Sequence, residues 1–252
     1  MGSKLSDFLF YEEPGITLYC GDCREILPML RCPNTSFCIE ACDGRCRIDA
    51  AAVVSDPPYG IGYVRDESGQ GLGARRNSGR VVGDDQPFDP SPWLRFPSVL
   101  LWGANHYAAR LPSAGRWLAW DKLNGVTSFD SYSDVEFAWL NKPGASRIFR
   151  HLWKGLLKDS ERDGNRLHPT AKPIALMQWC IGFVDANAVI LDPFAGTGPT
   201  LIAAKNLGRW VIGIEIEPKY CEIAVQRLRQ EVLWSAPSHE LPAQGQSLCL
   251  WP

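Results

Sequence analysis

Ala188-Val189-Ile190-Leu191-Asp192-Pro193-Phe194-Ala195-Gly196-Thr197-Gly198-Pro199-Thr200 carries an apolar run into an acid, a proline and two closely spaced glycines, then opens a helical pattern. Its first part, Ala188–Leu191, has the composition of a parallel strand buried on both faces. Thr200–Leu207 follows as a helix, Gly208 ends it, and Trp210–Ile214 forms the next strand, which terminates in Glu215. These pieces make a complete βαβ unit and assign the chain to the α/β class. Gly196 and Gly198 let the backbone approach a ligand, and an acid about twenty residues further on can accept both ribose hydroxyls. A nicotinamide fingerprint would place a third glycine at position 201, which is Leu201. The helix start lacks Lys and no Walker pattern is present, which argues against a triphosphate. What remains is a nucleoside with little need for phosphate recognition, and that points to S-adenosylmethionine.

A second strand of the same kind, Ala51–Ser55, runs into Asp56-Pro57-Pro58-Tyr59. The prolines end the ladder and fix φ, so a carboxylate and an aromatic ring sit in a stiff turn at the carboxyl end of a strand. Open α/β sheets bind ligands at that edge. An acid, two rigid prolines and a flat ring suit a planar amine such as a nucleobase; a plain strand-ending turn with a buried Tyr is the competing reading.

Earlier in the chain, residues 1–14 are polar and aperiodic and read as a loose leader. Ile16–Cys20 alternates as a strand, Gly21-Asp22 follows, and Cys23–Leu30 reads as a short helix. Asp22 suits either the cap of that helix or the lining of a cofactor pocket. Cys32, Cys38, Cys42 and Cys46 could hold a structural zinc, but their spacing fits none of the common knuckles and favours free thiols in a surface insertion, so no metal is expected. Gly60–Gly83 is glycine-rich, carries Arg65, Arg75, Arg76 and Arg80, and reads as a mobile loop whose arginines suit phosphate contacts. Ser98–Trp102, Arg116–Trp120, Asp134–Leu140 and Arg147–Trp153 are further strand candidates. Arg147, Arg150, Lys154, Lys158, Arg162 and Arg166 interleave with Phe149 and Trp153 in the manner of a nucleic-acid surface. Helices are expected over Ile174–Phe183 and Pro218–Arg229.

A chain of 252 residues can bury a substantial core as one large domain. The formal net charge of -2 does not advertise nucleic-acid binding, so any such surface must be a local patch. No apolar run reaches the length of a membrane span and the amino terminus lacks a signal pattern, so a cytoplasmic location without membrane contact is expected. Nine cysteines, an odd count, in such a compartment do not suggest a disulfide framework.

Together these residues resemble the amino-methylating DNA methyltransferases, in the circularly permuted arrangement called the β class. In that family a [DNS]-PP-[YFW] tetrapeptide precedes the cofactor loop [DN]-x-F-x-G-x-G, as Asp56-Pro57-Pro58-Tyr59 here precedes Asp192–Gly198. The family's H-P-x-x-K-P segment matches His168-Pro169-Thr170-Ala171-Lys172-Pro173, its G-I-E strand end matches Gly213-Ile214-Glu215, and its early G-D matches Gly21-Asp22. Asp at the head of the tetrapeptide is similar to the adenine-methylating members. The Cys-rich insertion and a short recognition region depart from the family pattern.

The resemblance implies a Rossmann-like fold: a mostly parallel seven-stranded sheet with one antiparallel edge strand and helices on both faces. It implies one catalytic domain over residues 1–231, with the Cys-rich insertion at 31–49, the loop at 60–83, a DNA-contacting region at 141–167 and a frayed tail at 232–252. The implied reaction is methyl transfer from S-adenosylmethionine to N6 of an adenine in DNA that is rotated out of the duplex, whether in a restriction pair, a phage or a host. Asp56, Pro57, Pro58 and Tyr59 would form the catalytic loop. Glu215 would take the ribose hydroxyls, Gly196 and Gly198 the backbone approach, Phe194 an apolar wall, Asp22 the border of the adenine and Lys172 the methionine carboxylate. Asp192, Ala195, Thr197 and Thr200 complete the cofactor loop. DNA is the expected partner, and a homodimer is compatible with the pattern. Alternatives are transfer to N4 of cytosine, to RNA or to a glutamine amide, and an inactive homologue that only binds DNA.

Overall fold

The chain was analysed as a computed structural model that describes residues 3–30, 51–62, 81–127, 133–154, 157–161 and 171–230. The Cys-rich segment, the four loop arginines, His168 with Pro169 and Thr170, Arg162, Arg166 and the tail expected from 232 onward lie outside the described residues.

A nine-stranded sheet organises the rest. In chain order its strands are β1 (Leu9–Glu13), β2 (Ile16–Cys20), β3 (Ala52–Ser55), β4 (Ser98–Trp102), β5 (Arg116–Asp121), β6 (Val135–Leu140), β7 (Arg147–Arg150), β10 (Ile190–Asp192) and β11 (Val211–Glu215). A small ribbon, β8 (Trp153–Lys154) with β9 (Leu157–Lys158), stands apart from the sheet. The helices are α1 (Cys23–Met29), α2 (Ile174–Ile181), α3 (Pro199–Asn206) and α4 (Pro218–Arg229).

The sheet order is β1-β2-β11-β10-β3-β4-β6-β5-β7. β3 and β4 are buried along their whole length, as their unbroken apolar sequences require of central strands. Successive residues of a strand point to opposite faces. Leu18, Val54, Leu100, Trp102 and Leu118 therefore pack under α2, α3 and α4, while Tyr19, Val53, Val99, Leu101 and Ile214 meet α1 and the loop that carries Phe88 and Trp93. Helices thus cover both faces, as expected.

Two expectations need correction. The leader is a strand: Glu13 pairs with Ile16 across Pro14-Gly15, and Gly15 takes φ +82 to make the turn. Leu9 and Phe10 are exposed while Leu5, Phe8 and Tyr11 pack against the core, so the backbone ladder and partial burial together hold this segment, and no apolar period announces it. With β1 and β7 added, the sheet has nine strands rather than seven. The reversed strands are β1 at one edge and β6 in the interior, where it is antiparallel to both β4 and β5.

Candidate active site

From β3 the chain leaves through β4 toward one edge of the sheet; from β10 it leaves through β11 toward the other. β3 and β10 are neighbours, so their carboxyl ends flank the point where the strand order reverses, the position at which open α/β sheets form their ligand crevice. Asp56 leaves the end of β3, and Asp192–Gly198, the expected cofactor loop, leaves the end of β10. A hydrogen bond joins the two: Ser55 Oγ donates to Asp192 Oδ1 at 2.5 Å. Asp192 also accepts from Phe194 N at 3.1 Å, which sets the first turn of the loop. Burial pushes the Asp192 carboxyl up to about 6.

Beyond Asp192 the backbone turns through Gly196 at φ +53 and Gly198 at φ +77. A Cβ on Gly196 would meet open space, whereas one on Gly198 would press on Ala224 of α4. Gly196 therefore faces the crevice and Gly198 serves helix packing. Leu201, where a nicotinamide fingerprint has glycine, packs against Gly213 of β11; the small residue needed for close helix–strand contact stands on the strand instead. Glu215 ends β11 with Oε2 accepting from Gly196 N at 2.7 Å and Oε1 from Glu217 N at 2.8 Å. Each oxygen keeps a lone pair for further donors. Burial raises the Glu215 carboxyl above its ordinary range.

Phe194 meets Trp93 at 5.4 Å and Phe88 at 6.0 Å between ring centroids, forming an aromatic wall. Phe88 and Trp93 escape a reading of the sequence because they stand in a Pro-rich loop with no periodicity. Ala195 is buried, donating to Ile214 O and accepting from Gly198 N. Thr197 turns away from the crevice: its carbonyl and hydroxyl oxygens accept from Arg227 Nη1 at 2.9 and 3.2 Å. Thr200 is fully buried in the first turn of α3. Asp22 caps α1, accepting from Arg24 N at 2.8 Å and pairing with the Arg24 guanidinium, which holds its carboxyl below the usual range.

In the tetrapeptide, Tyr59 OH donates to Asp56 Oδ1 at 2.5 Å. The Tyr59 ring stacks on His106 at 5.1 Å and lies over Gly103, where any Cβ would collide with it. Lys172 departs from its expected place. Its Nζ donates to Asp56 Oδ2 at 2.5 Å and to Tyr59 OH at 3.1 Å, and it forms an ion pair with Glu136 Oε2 at 3.1 Å, so the ammonium is held within the Asp56 cluster. Glu136, on β6, is a member that sequence reasoning missed, since Asp-Val-Glu-Phe-Ala-Trp-Leu reads as an ordinary alternating strand. Burial tends to discharge Lys172, but Asp56 and Glu136 together hold its pKa above the ordinary value. Burial also lifts the Asp56 carboxyl, against the pull of Lys172.

The described part of the basic stretch 141–167 is only partly a surface. Arg147 and Arg150 are exposed, but Phe149 packs on Trp179 at 5.3 Å and Lys158 lies over the Trp153 ring at 4.0 Å. Phe149 thus serves packing rather than forming a free stacking platform.

Nine strands, helices on both faces and two loops meeting at the switch point define a Rossmann-like α/β fold. Among solved structures, the chain aligns with the M1.HpyAVI–SAM complex at a TM-score of 0.50 and 22% identity, covering 84% of this chain and 99% of that one. It aligns with the PvuII DNA methyltransferase (cytosine-N4-specific) at a TM-score of 0.52 and 14% identity, over 87% and 88% of the two chains. Residues 127–226 match the N6_N4_Mtase family model, described as DNA methylase; the match contains Asp192–Gly198 and begins after Asp56.

YubD of Escherichia coli (strain K12), which carries a methylase name, is 29% identical over 70% of this chain and 80% of its own length. The type II methyltransferase M.HinfI of Haemophilus influenzae is 47% identical over 78 residues, 31% of this chain. M2.LlaDCHI of Lactococcus lactis subsp. cremoris, also a type II methyltransferase, is 42% identical over 45% of this chain. The chain spans 21% and 41% of the lengths of these two type II enzymes. The chain is thus similar to the S-adenosylmethionine-dependent DNA amino-methyltransferases.

Proposed function

We propose that this protein transfers the methyl group of S-adenosylmethionine to N6 of an adenine in DNA, acting on a base rotated out of the duplex. The hydrogen bond between Ser55 and Asp192 supports this reading most directly, because it ties the end of the Asp56 strand to the head of the cofactor loop. The cradle suits a nucleoside: Gly196 faces open space, Glu215 is braced by two backbone N–H groups with lone pairs to spare, and Phe194, Phe88 and Trp93 form an apolar wall. Glu215 would accept the ribose hydroxyls, and Asp22, two residues beyond the strand paired to β11, would border the adenine of the cofactor.

Bound S-adenosylmethionine supplies a methyl group made electrophilic by its sulfonium. The acceptor amine is a poor nucleophile because its lone pair is delocalised into the ring. Asp56 and the Pro57 carbonyl would accept its two hydrogens and favour a pyramidal nitrogen whose lone pair points at the methyl carbon. Tyr59, released from Asp56, would stack on the base, and Asp56 would take the proton that the methylated nitrogen loses. Orientation and exclusion of water drive such a displacement more than basicity does.

Long-read sequencing of DNA from cells expressing the protein tests this reading. Modified adenines at a fixed sequence, absent with Asp56→Ala, are expected. Modified cytosines would move the acceptor to N4, and unmodified DNA would leave a protein that only binds.

A further inference from the structure

Lys172 is 4% exposed and is met by groups from separate parts of the fold: Asp56 beyond β3 and Glu136 on β6. Glu136 is itself held from the other side, where Lys122 Nζ, just past β5, lies 3.0 Å from Oε1. The result is an alternating chain of charges, Asp56–Lys172–Glu136–Lys122, whose formal sum is zero. Asp56 sits at its inner end with both oxygens engaged, Oδ2 by Lys172 and Oδ1 by Tyr59. An incoming amine needs one of those oxygens. Lys172 is pinned on Glu136 as well as on Asp56, whereas exchanging the Tyr59 hydroxyl for the amine would free Oδ1.

Resting on the methyltransferase reading above, we propose that Glu136 and Lys172 are positioning residues for the transfer. Glu136 anchors the Lys172 ammonium, and Lys172 fixes Asp56 through Oδ2, so that Oδ1 is offered to the acceptor amine in exchange for the Tyr59 hydroxyl. Loss of either residue lets the carboxylate rotate, and a misplacement of that kind costs about a hundredfold in rate. The two charges act on Asp56 in opposite senses. Among the described residues, Lys172, Glu136, Tyr59, Tyr107 and Asp192 are the titratable groups that act on Asp56.

The test uses the full chain with S-adenosylmethionine and DNA, reading single-turnover methylation across pH, cofactor affinity and melting temperature for Glu136→Gln, Lys172→Met and Lys172→Arg. Glu136→Gln and Lys172→Met should each slow transfer about a hundredfold while leaving cofactor affinity within about twofold. The acid limb of the rate profile should move up by about one pH unit in Lys172→Met and down in Glu136→Gln, a split that a purely structural defect would not produce. Lys172→Arg keeps the charge and should keep the acid limb in place even if its rate falls. Should Lys172→Met fail to fold, Glu136→Gln and Lys172→Arg still decide the matter. An unmoved profile with a wild-type rate in Glu136→Gln overturns the proposal, as does a tenfold loss of cofactor affinity in Lys172→Met, which would return Lys172 to the methionine carboxylate. A wild-type protein that methylates no DNA would sink the underlying reading and this one with it; failure in the variants alone sinks only this one.

Discussion

In the proposed reaction Asp56 and Glu215 divide the work between two carboxylates, at the ends of β3 and β11 with β10 between them, and each makes a separable prediction. Asp56→Ala removes the acceptor for the amine hydrogens and the product proton. Transfer should fall by about a thousandfold, within the range for losing a positioned acid–base group. Cofactor affinity, measured by calorimetry, should stay within about twofold, because no cofactor-loop group bonds to that side chain. Glu215→Ala should do the reverse, weakening S-adenosylmethionine by about tenfold to a hundredfold, the equivalent of hydrogen bonds to a charged group; a titration at wild-type affinity would remove Glu215 from the site. Asp192 makes a prediction about pH. Its folded-state pKa, about 6, lies above its ordinary value, so the folded chain binds the proton more tightly than the unfolded chain. Stability should therefore fall as pH rises from about 4 to about 6, by on the order of 3 kcal/mol from this group alone. Asp192→Asn keeps an oxygen for Ser55 and Phe194 and should flatten that part of a denaturation profile; an unchanged slope would contradict it.

At the scale of elements, the turn after β4 supports the tetrapeptide. Gly103 adopts φ +68 directly beneath Tyr59, so Gly103→Ala would combine backbone strain with a collision against the ring. A loss of about 1–3 kcal/mol in denaturant melts is expected, together with slower transfer as Tyr59 is displaced; a variant with wild-type stability and rate would refute this role. The parts of the fold that could be read from the chain are those in which burial dictates sequence. β2, β3, β4, β10, β11 and α4 announce themselves because their apolar runs or 3.6-residue stripe answer to the core. β1 does not, being held by its ladder to β2 and by only partial burial, with Leu9 and Phe10 in solvent, and the interior reversal of β6 is a matter of pairing that no single strand encodes. The site divides in the same way. Asp56, Glu215 and Gly196 lie in local motifs, whereas Glu136, Phe88 and Trp93 reach the crevice through tertiary packing. Lys172 was visible as part of a motif, but its company of Asp56 and Glu136 depends on distant segments that only the folded sheet brings together.

For the whole molecule, the permuted order matters little to the geometry. The cofactor strand comes late in the chain, yet β10 lies beside β3, and the two loops share one crevice. Among the described residues no helix is long and apolar enough to cross a membrane. The central claim is that this crevice brings a methyl donor and an extruded adenine amine together. Purified protein incubated with DNA and S-adenosylmethionine carrying a deuterated methyl group, followed by digestion to nucleosides and mass spectrometry, tests it most directly. The account predicts label in N6-methyladenine, lost in Asp56→Ala; label in another nucleoside alone, or in none from a wild-type protein that binds the cofactor, would contradict it.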